Sequence, residues 1–212
     1  LHTLFPYTTL FRSIALALAE RAEPAEREKL WPRLARECDR LEALISEILV
    51  LARLDADFGT AEPVDLDAML HHLQSDTRLN APEQEVRVWV QDGVELQGWP
   101  DMLERALDNL LRNALRFNPA GQAIDLKAQC EGGRLLISVR DHGPGVASEH
   151  LSQLGEPFFR APGQTAPGHG LGLAIAKRAA ERHGGYLTLT NHPQGGFVAT
   201  LDLPLEPVIP GA

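Results

Sequence analysis

The sequence predicts an α+β chain: a helical hairpin followed by an α/β sandwich, in which helices cover a mixed sheet. Two observations carry this. Trp31, Leu34, Cys38, Leu41, Ile45, Ile48 and Ala52 are spaced alternately three and four apart, an a/d seam sustained over three heptads. Beyond Pro63 the pattern changes to short alternating runs separated by helical stretches, which is how a sheet with helices packed on it reads.

Composition sets outer limits. A chain of 212 residues, 44% apolar and 23% charged, suits one ordinary domain plus a smaller element and is not a disordered sequence. A formal net charge of −9 argues against a nucleic-acid-binding surface, which needs clustered Lys and Arg. It does not exclude phosphate ligands, which Mg²⁺ and backbone N–H groups can hold in an acidic protein. Cys38 and Cys130 lie far apart, in no metal-ligand spacing, and read as two free thiols. The longest apolar stretch near the start, Ile14 to Ala19, is far short of the roughly 20 residues a bilayer requires.

The expected organisation runs as follows. Residues 1–13 (LHTLFPYTTLFRS) show neither helical nor strand periodicity. They resemble translated adapter sequence joined at about Ser13 or Ile14, the alternative being a genuine N-terminal strand or arm. Residues 14–56 form the hairpin: one helix from Ile14, then a second introduced by Glu23-Pro24 and an acidic first turn. Pro32 predicts a kink or a later start for that second helix. A strict seam on the second helix points to half of a dimeric four-helix bundle; an ordinary intramolecular hairpin is the alternative. Residues 57–63 are a linker, with Gly59 and Pro63 ending the long helix. The main domain spans 64–206, and 207–212 are a tail.

Within the main domain, helices are expected over Asp65–Leu79, Pro100–Phe117, Ser148–Leu154 and Leu171–His183. Strands are expected over Glu85–Gln91, Val94–Trp99, Ala123–Cys130, Arg134–Arg140, Tyr186–Thr190 and Phe197–Leu203. Glu131-Gly132-Gly133 and the Pro-Gln-Gly-Gly run before Phe197 read as hairpin turns.

Four local constellations carry chemistry. Asn109 and Asn113 share one helical face, with Arg116 and Phe117 a turn further on. An amide oxygen can ligate Mg²⁺, a guanidinium can clamp phosphate and an aromatic ring can stack on a base; the plain alternative is a solvated face. Asp141-His-Gly143-Pro-Gly145 puts a carboxylate at a strand end before glycines that let backbone approach a ligand, although Asp-x-Gly also marks ordinary turns. Phe158-Phe159 opens an irregular segment that either anchors a loop or hinges a lid. Gly168-His-Gly170-Leu171-Gly172-Leu173 opens a helix, where N–H groups can face phosphate. No GxxxxGK[ST] phosphate loop is present.

The order of these four, within about 65 residues, resembles the N, G1, F and G2 boxes of the sensor histidine kinases. Their catalytic domain has the Bergerat (GHKL) fold shared with gyrase-type, mismatch-repair and heat-shock ATPases. The resemblance covers about Pro63 to Pro204, and the heptad helix resembles the second dimerisation helix of those kinases. It implies ATP and Mg²⁺ as cofactors, with Asn113 as the metal ligand and Asn109 in support. It implies Arg116 on phosphate, Phe117 on adenine, and Asp141 accepting from the adenine amino group. Gly143 and Gly145 would shape the base pocket, Phe158 would border it, and Gly168, Gly170 and Gly172 would face the phosphates with the N–H groups of Leu171 and Leu173. Residues 160–169 would be a lid.

The implied activity is transfer of the ATP γ-phosphoryl to a histidine and onward to a response-regulator receiver domain, in a homodimer joined through the hairpin. The implied location is the cytoplasmic side of a parent anchored in the inner membrane. One departure stands out. The phosphoacceptor motif, His followed by an acid and then Pro, is expected about ten residues before Ile14, where His2 is followed by Thr-Leu-Phe-Pro6. His71, His72, His150, His169, His183 and His192 read as surface or packing residues. The expectation is therefore a chain that binds Mg-ATP without phosphorylating itself. Two other functions stay open: a clamp-type ATPase, using Glu104 as its base, and a non-catalytic dimerisation module.

Overall fold

The computed structural model describes residues 24–53, 60–162 and 168–206. The chain divides into two compact units, Leu1–Val50 and Leu51–Ala212. The expected leader (1–13), the first helix from Ile14, the first three residues (57–59) of the linker expected over 57–63, the middle of the lid (163–167) and the tail (207–212) lie outside the described residues.

Helix α1 (Pro24–Arg53) starts at the Pro24 signal and runs without a break through Pro32, so the later start is not observed. Proline deletes one helical hydrogen bond, and a 30-residue helix tolerates that loss. The seam is not buried along this helix. Trp31 and Ile45 are exposed, Leu34, Cys38, Leu41 and Ile48 are half-buried, and the buried Leu44 lies off the seam. An a/d seam is buried only by a facing helix, and the expected partner from Ile14 is outside the described residues.

In the second unit, β1 (Glu62–Val64) is a strand where sequence indicated a linker. It pairs antiparallel with β3 (Leu96–Gly98), Val64 opposite Leu96, in a sheet of two strands. Helix α2 (Leu66–Asn80) is capped by Asp65, whose Oδ1 accepts from Ala68 N–H at 2.9 Å. Its buried stripe is Leu66, Leu70, Leu73 and Thr77.

The main sheet has the order β2-β4-β5-β7-β6. Its strands are β2 (Val86–Val90), β4 (Ile124–Glu131), β5 (Arg134–Arg140), β6 (Tyr186–Asn191) and β7 (Phe197–Pro204). β2 runs parallel to β4 and the other pairs are antiparallel, the mixed sheet that was expected. Gly132 and Gly133 both take positive φ, 59° and 78°, which a two-residue hairpin turn between β4 and β5 requires.

Alternation puts Ile124, Leu126, Leu135, Ile137, Val139, Ala199 and Leu201 on one buried face. Helix α3 (Pro100–Phe117) begins on Pro100 and buries Met102, Leu103, Ala106, Leu107, Leu110, Leu111 and Ala114. Helix α5 (Gly172–Arg182) buries Ala174, Ile175, Ala176, Ala179 and Ala180. These small residues let α5 pack closely on α3 as well as on β6 and β7. The short α4 (Ser148–Leu151) covers only the first turn of the helix expected there.

His183, fully buried after α5, joins three elements. Its Nδ1–H donates to Ala179 O at 2.8 Å, and its Nε2 accepts from Trp99 N–H at 3.1 Å. A Cβ at Gly98 would lie 2.8 Å from that Nε2, so glycine is needed there. Burial pushes the imidazole below its ordinary pKa, opposed by the Ala179 carbonyl. The folded chain thus binds this proton more weakly than the unfolded chain does. The stabilisation is complete above about pH 6.5 and is lost as pH falls. Denaturation midpoints measured from about pH 7.5 to about pH 5 are expected to drop, and more steeply than in His183→Gln, which has no group to titrate there.

Candidate nucleotide-binding site

Of the residues singled out in the sequence, Gly143, Gly168 and Gly172 lie against α3. Its buried stripe fixes the rotation of the helix, which leaves Asn109, Asn113, Arg116 and Phe117 on a separate, partly open face. Asn109 anchors itself by donating from Nδ2 to Arg105 O at 2.8 Å. Its Oδ1 lies 3.0 Å from where a Cβ on Gly172 would stand. The Arg116 guanidinium lies 2.5 Å from the corresponding point at Gly168. The Phe117 carbonyl lies 2.6 Å from that point at Gly143. One helix therefore touches both glycine loops; a Cβ at Gly143 would collide with its backbone, and one at Gly168 or Gly172 would displace the Arg116 or Asn109 side chain. Asn113 is half-buried and makes no side-chain hydrogen bond among the described residues, so its amide is uncommitted.

Asp141 is 2% exposed at the end of β5. Its Oδ1 accepts from Gly143 N–H at 2.8 Å and from Phe197 N–H at 3.1 Å, while its own N–H donates to Phe197 O at 3.0 Å. Both side-chain bonds fall on Oδ1, so Oδ2 is available to a ligand. Burial pushes the carboxyl above its usual range; the two N–H bonds, then His142 and Arg140, pull the other way. Such a carboxylate gains from a buried donor such as an exocyclic amine.

The Phe-Phe segment is tied to the second glycine loop. Phe158 has φ of +67°, a strained value for a residue with a side chain, and its N–H donates to Gly170 O at 3.0 Å. Gly170 has φ of +77°, and a Cβ on it would lie 2.7 Å from Phe159 O. Leu171, fully buried, precedes α5, whose N-terminus carries no side-chain cap. No side chain at the N-cap thus satisfies its first N–H groups, from Gly172 onward.

Three contributors were not legible in the sequence. Asn118 Oδ1 accepts from His142 N–H at 2.9 Å, while Nδ2 donates to Gln84 Oε1 at 2.9 Å and Gln122 O at 2.7 Å. Asn191 bonds the backbone of Val146. Gly196, with φ of +93°, packs so tightly that a Cβ would lie 1.9 Å from Asp141 O. A Gly-Gly pair in the β6–β7 turn was visible, but it read only as a hairpin signal.

Glu104 does not belong to this site. It lies nine residues before Asn113, about two and a half turns and so on the opposite face of α3. There it accepts from or donates to His72 Nδ1 at 3.1 Å, according to protonation. A clamp-type ATPase base at this position is not supported. Among the described residues no three His, Cys, Asp or Glu side chains form a metal cluster. A cation at Asn113 would thus depend on phosphate oxygens as co-ligands.

Residues 98–207, just over half of the chain, match the family "Histidine kinase-, DNA gyrase B-, and HSP90-like ATPase". The sensor protein QseC of Escherichia coli O157:H7 is 34% identical over 199 residues, 92% of this chain and 43% of that protein. The chain thus spans less than half the length of this relative. Among solved structures, the mycobacterial sensor histidine kinase MprB is 29% identical with a TM-score of 0.62, over 70% of this chain and 99% of that one. Full-length ShkA in complex with AMPPNP is 26% identical with a TM-score of 0.71, over 97% of this chain and 44% of that one. The chain belongs to the histidine kinase-, gyrase B- and HSP90-like ATPases and carries the ATP-binding catalytic region of a sensor histidine kinase.

Gly143 gives the cleanest test of the close approach, because its φ is not left-handed and only space forbids a side chain. Gly143→Ala is expected to cost about 1–3 kcal/mol through overpacking against the Phe117 carbonyl. Nucleotide affinity should fall about tenfold or more, read by calorimetry; native affinity in a stable variant would contradict the site.

Proposed function

We propose that this chain binds Mg-ATP on α3 and directs the γ-phosphoryl group to a histidine on a dimerisation hairpin, for onward transfer to the aspartate of a response-regulator receiver domain. The observation that carries the reading is the approach of both glycine loops, the first of them bonded to Asp141, to the Asn109–Phe117 stretch of α3. Asn113 would hold Mg²⁺ through its uncommitted amide oxygen, with Asn109 in support. Bound Mg²⁺ would neutralise charge on the phosphates. Arg116, set against Gly168, would meet phosphate, and the N–H groups of Leu171, Gly172 and Leu173 would face it at the end of α5 whose dipole favours an anion.

Phe117 would pack on adenine and Asp141 would accept from its amino group. Gly143 and Gly145 would line the base pocket. Phe158, pinned to Gly170, would border that pocket and fix the root of a lid over residues 160–169. The AMPPNP in the ShkA complex supports nucleotide binding by this fold. The exposed Trp31 and Ile45 support burial of α1 against a second copy in a homodimer. In this reading the parent is anchored in the inner membrane; among the described residues no helix is long and apolar enough to cross one.

The decisive experiment mixes the chain with Mg-ATP and a dimerisation hairpin bearing an acceptor histidine flanked by an acid. Acid-labile phosphate should appear on the hairpin; ATP binding without transfer would refute the kinase reading. Asn113→Ala should lose the Mg-dependent part of nucleotide binding, about tenfold or more. Unchanged Mg dependence would remove Asn113 from the metal role.

A further inference from the structure

The loop from Asp141 to Val146 is held at its far end by a residue 45 positions downstream. Asn191, the last residue of β6, uses its amide as a surrogate strand. Its Oδ1 accepts from Val146 N–H at 2.9 Å, and its Nδ2 donates to Val146 O at 2.6 Å. Both backbone polar groups of Val146 are thus satisfied by one side chain, as a paired strand would satisfy them. The fit is close, because a Cβ on Gly145 would lie 2.6 Å from Asn191 Oδ1. Gly145 itself has φ of +70°, so glycine is required there on two grounds.

The same end of the β6–β7 hairpin holds the other end of the loop. Asn191 pairs with Phe197 across the hairpin, and Phe197 N–H donates to Asp141 Oδ1. His192 N–H donates to Gly196 O at 2.9 Å, closing the turn that seats Gly196 on the Asp141 carbonyl. A rigid hairpin end therefore bonds Asp141 on one side and Val146 on the other, and fixes the span of the loop between them.

We infer that Asn191 is a positioning residue for base recognition, setting the Asp141 carboxylate through the Asp141–Val146 loop without touching the nucleotide. The inference rests on the reading of Asp141 as the acceptor from the adenine amino group. Asn191 then controls discrimination between bases rather than affinity in general. Loss of the clamp frees the loop to slide, and a carboxylate displaced from hydrogen-bond range no longer distinguishes an amino from an oxo group.

The test compares the full chain with Asn191→Ala, Asn191→Asp and Asp141→Asn, by calorimetric titration with Mg-ATP and with Mg-inosine triphosphate, in which an oxo group replaces the 6-amino group. The native chain is expected to prefer ATP by about tenfold or more, the range of a hydrogen bond to a charged group. Asp141→Asn should abolish or reverse that preference. Asn191→Ala should lower it about threefold or more. Asn191→Asp keeps the acceptor for Val146 N–H but turns a carboxylate oxygen on the Val146 carbonyl. It too should lower the preference about threefold or more, and it remains a test if the alanine variant does not fold. Melting temperatures taken without nucleotide separate loss of fold from loss of discrimination. If Asn191→Ala weakens both nucleotides equally while Asp141→Asn loses the preference, Asn191 is only structural and the inference fails. If Asp141→Asn keeps the native preference, the reading of Asp141 fails, and the role of Asn191 fails with it.

Discussion

Everything else in the site depends on how closely α3 is approached by the two glycine loops. A helix can present amides and a guanidinium to a ligand only if its apolar stripe fixes its rotation. Here that stripe runs from Met102 to Ala114, buried against α5 and the sheet. With α3 fixed, Gly143, Gly168 and Gly172 each bring backbone to within a side chain's width of Phe117, Arg116 and Asn109. The glycines are not there for flexibility alone. A Cβ at Gly143 would meet backbone at the Phe117 carbonyl, whereas at Gly168 and Gly172 it would crowd the Arg116 and Asn109 side chains.

The sheet contributes the second constraint. Asp141 follows β5, and β5 pairs with β7 so that Arg140 lies opposite Val198. One step further, Phe197 meets Asp141 with two backbone bonds, one to its side chain and one to its main chain. Register therefore delivers a buried carboxylate to the end of β5, beside Gly143. Burial pushes that carboxyl above its usual range, and the two N–H donors limit the cost of ionising it. The result is a carboxylate with one oxygen committed to the fold and one left for chemistry.

Much of this was legible in advance, for local reasons. The bounds of α3 agree with those expected because Pro100 marks the start and the apolar stripe ends before Pro119. The β4–β5 turn was legible because two adjacent glycines with positive φ have few other uses. Strand β1 was not, since three residues including Pro63 give no alternation to read. Asn118 and Asn191 were not either, because their partners lie 24 and 45 residues away and no local pattern encodes such a contact. The expected position of Glu104 on the right helix was correct; its face was decisive, and that face is turned to His72. At Pro32 a kink or a later start was expected; the later start is not observed, since a long helix tolerates one missing hydrogen bond.

The central claim is that the ligand lies on the Asn109–Phe117 face of α3, between the two glycine loops. Proton–nitrogen correlation spectra of the isotopically labelled chain, titrated with Mg-ATP, test it most directly. The account predicts the largest shifts at the amides of Gly143, Gly145, Gly170, Gly172 and Leu173, and at the side-chain amide of Asn113. Shifts confined to the opposite face of α3, around Glu104 and His72, would contradict it.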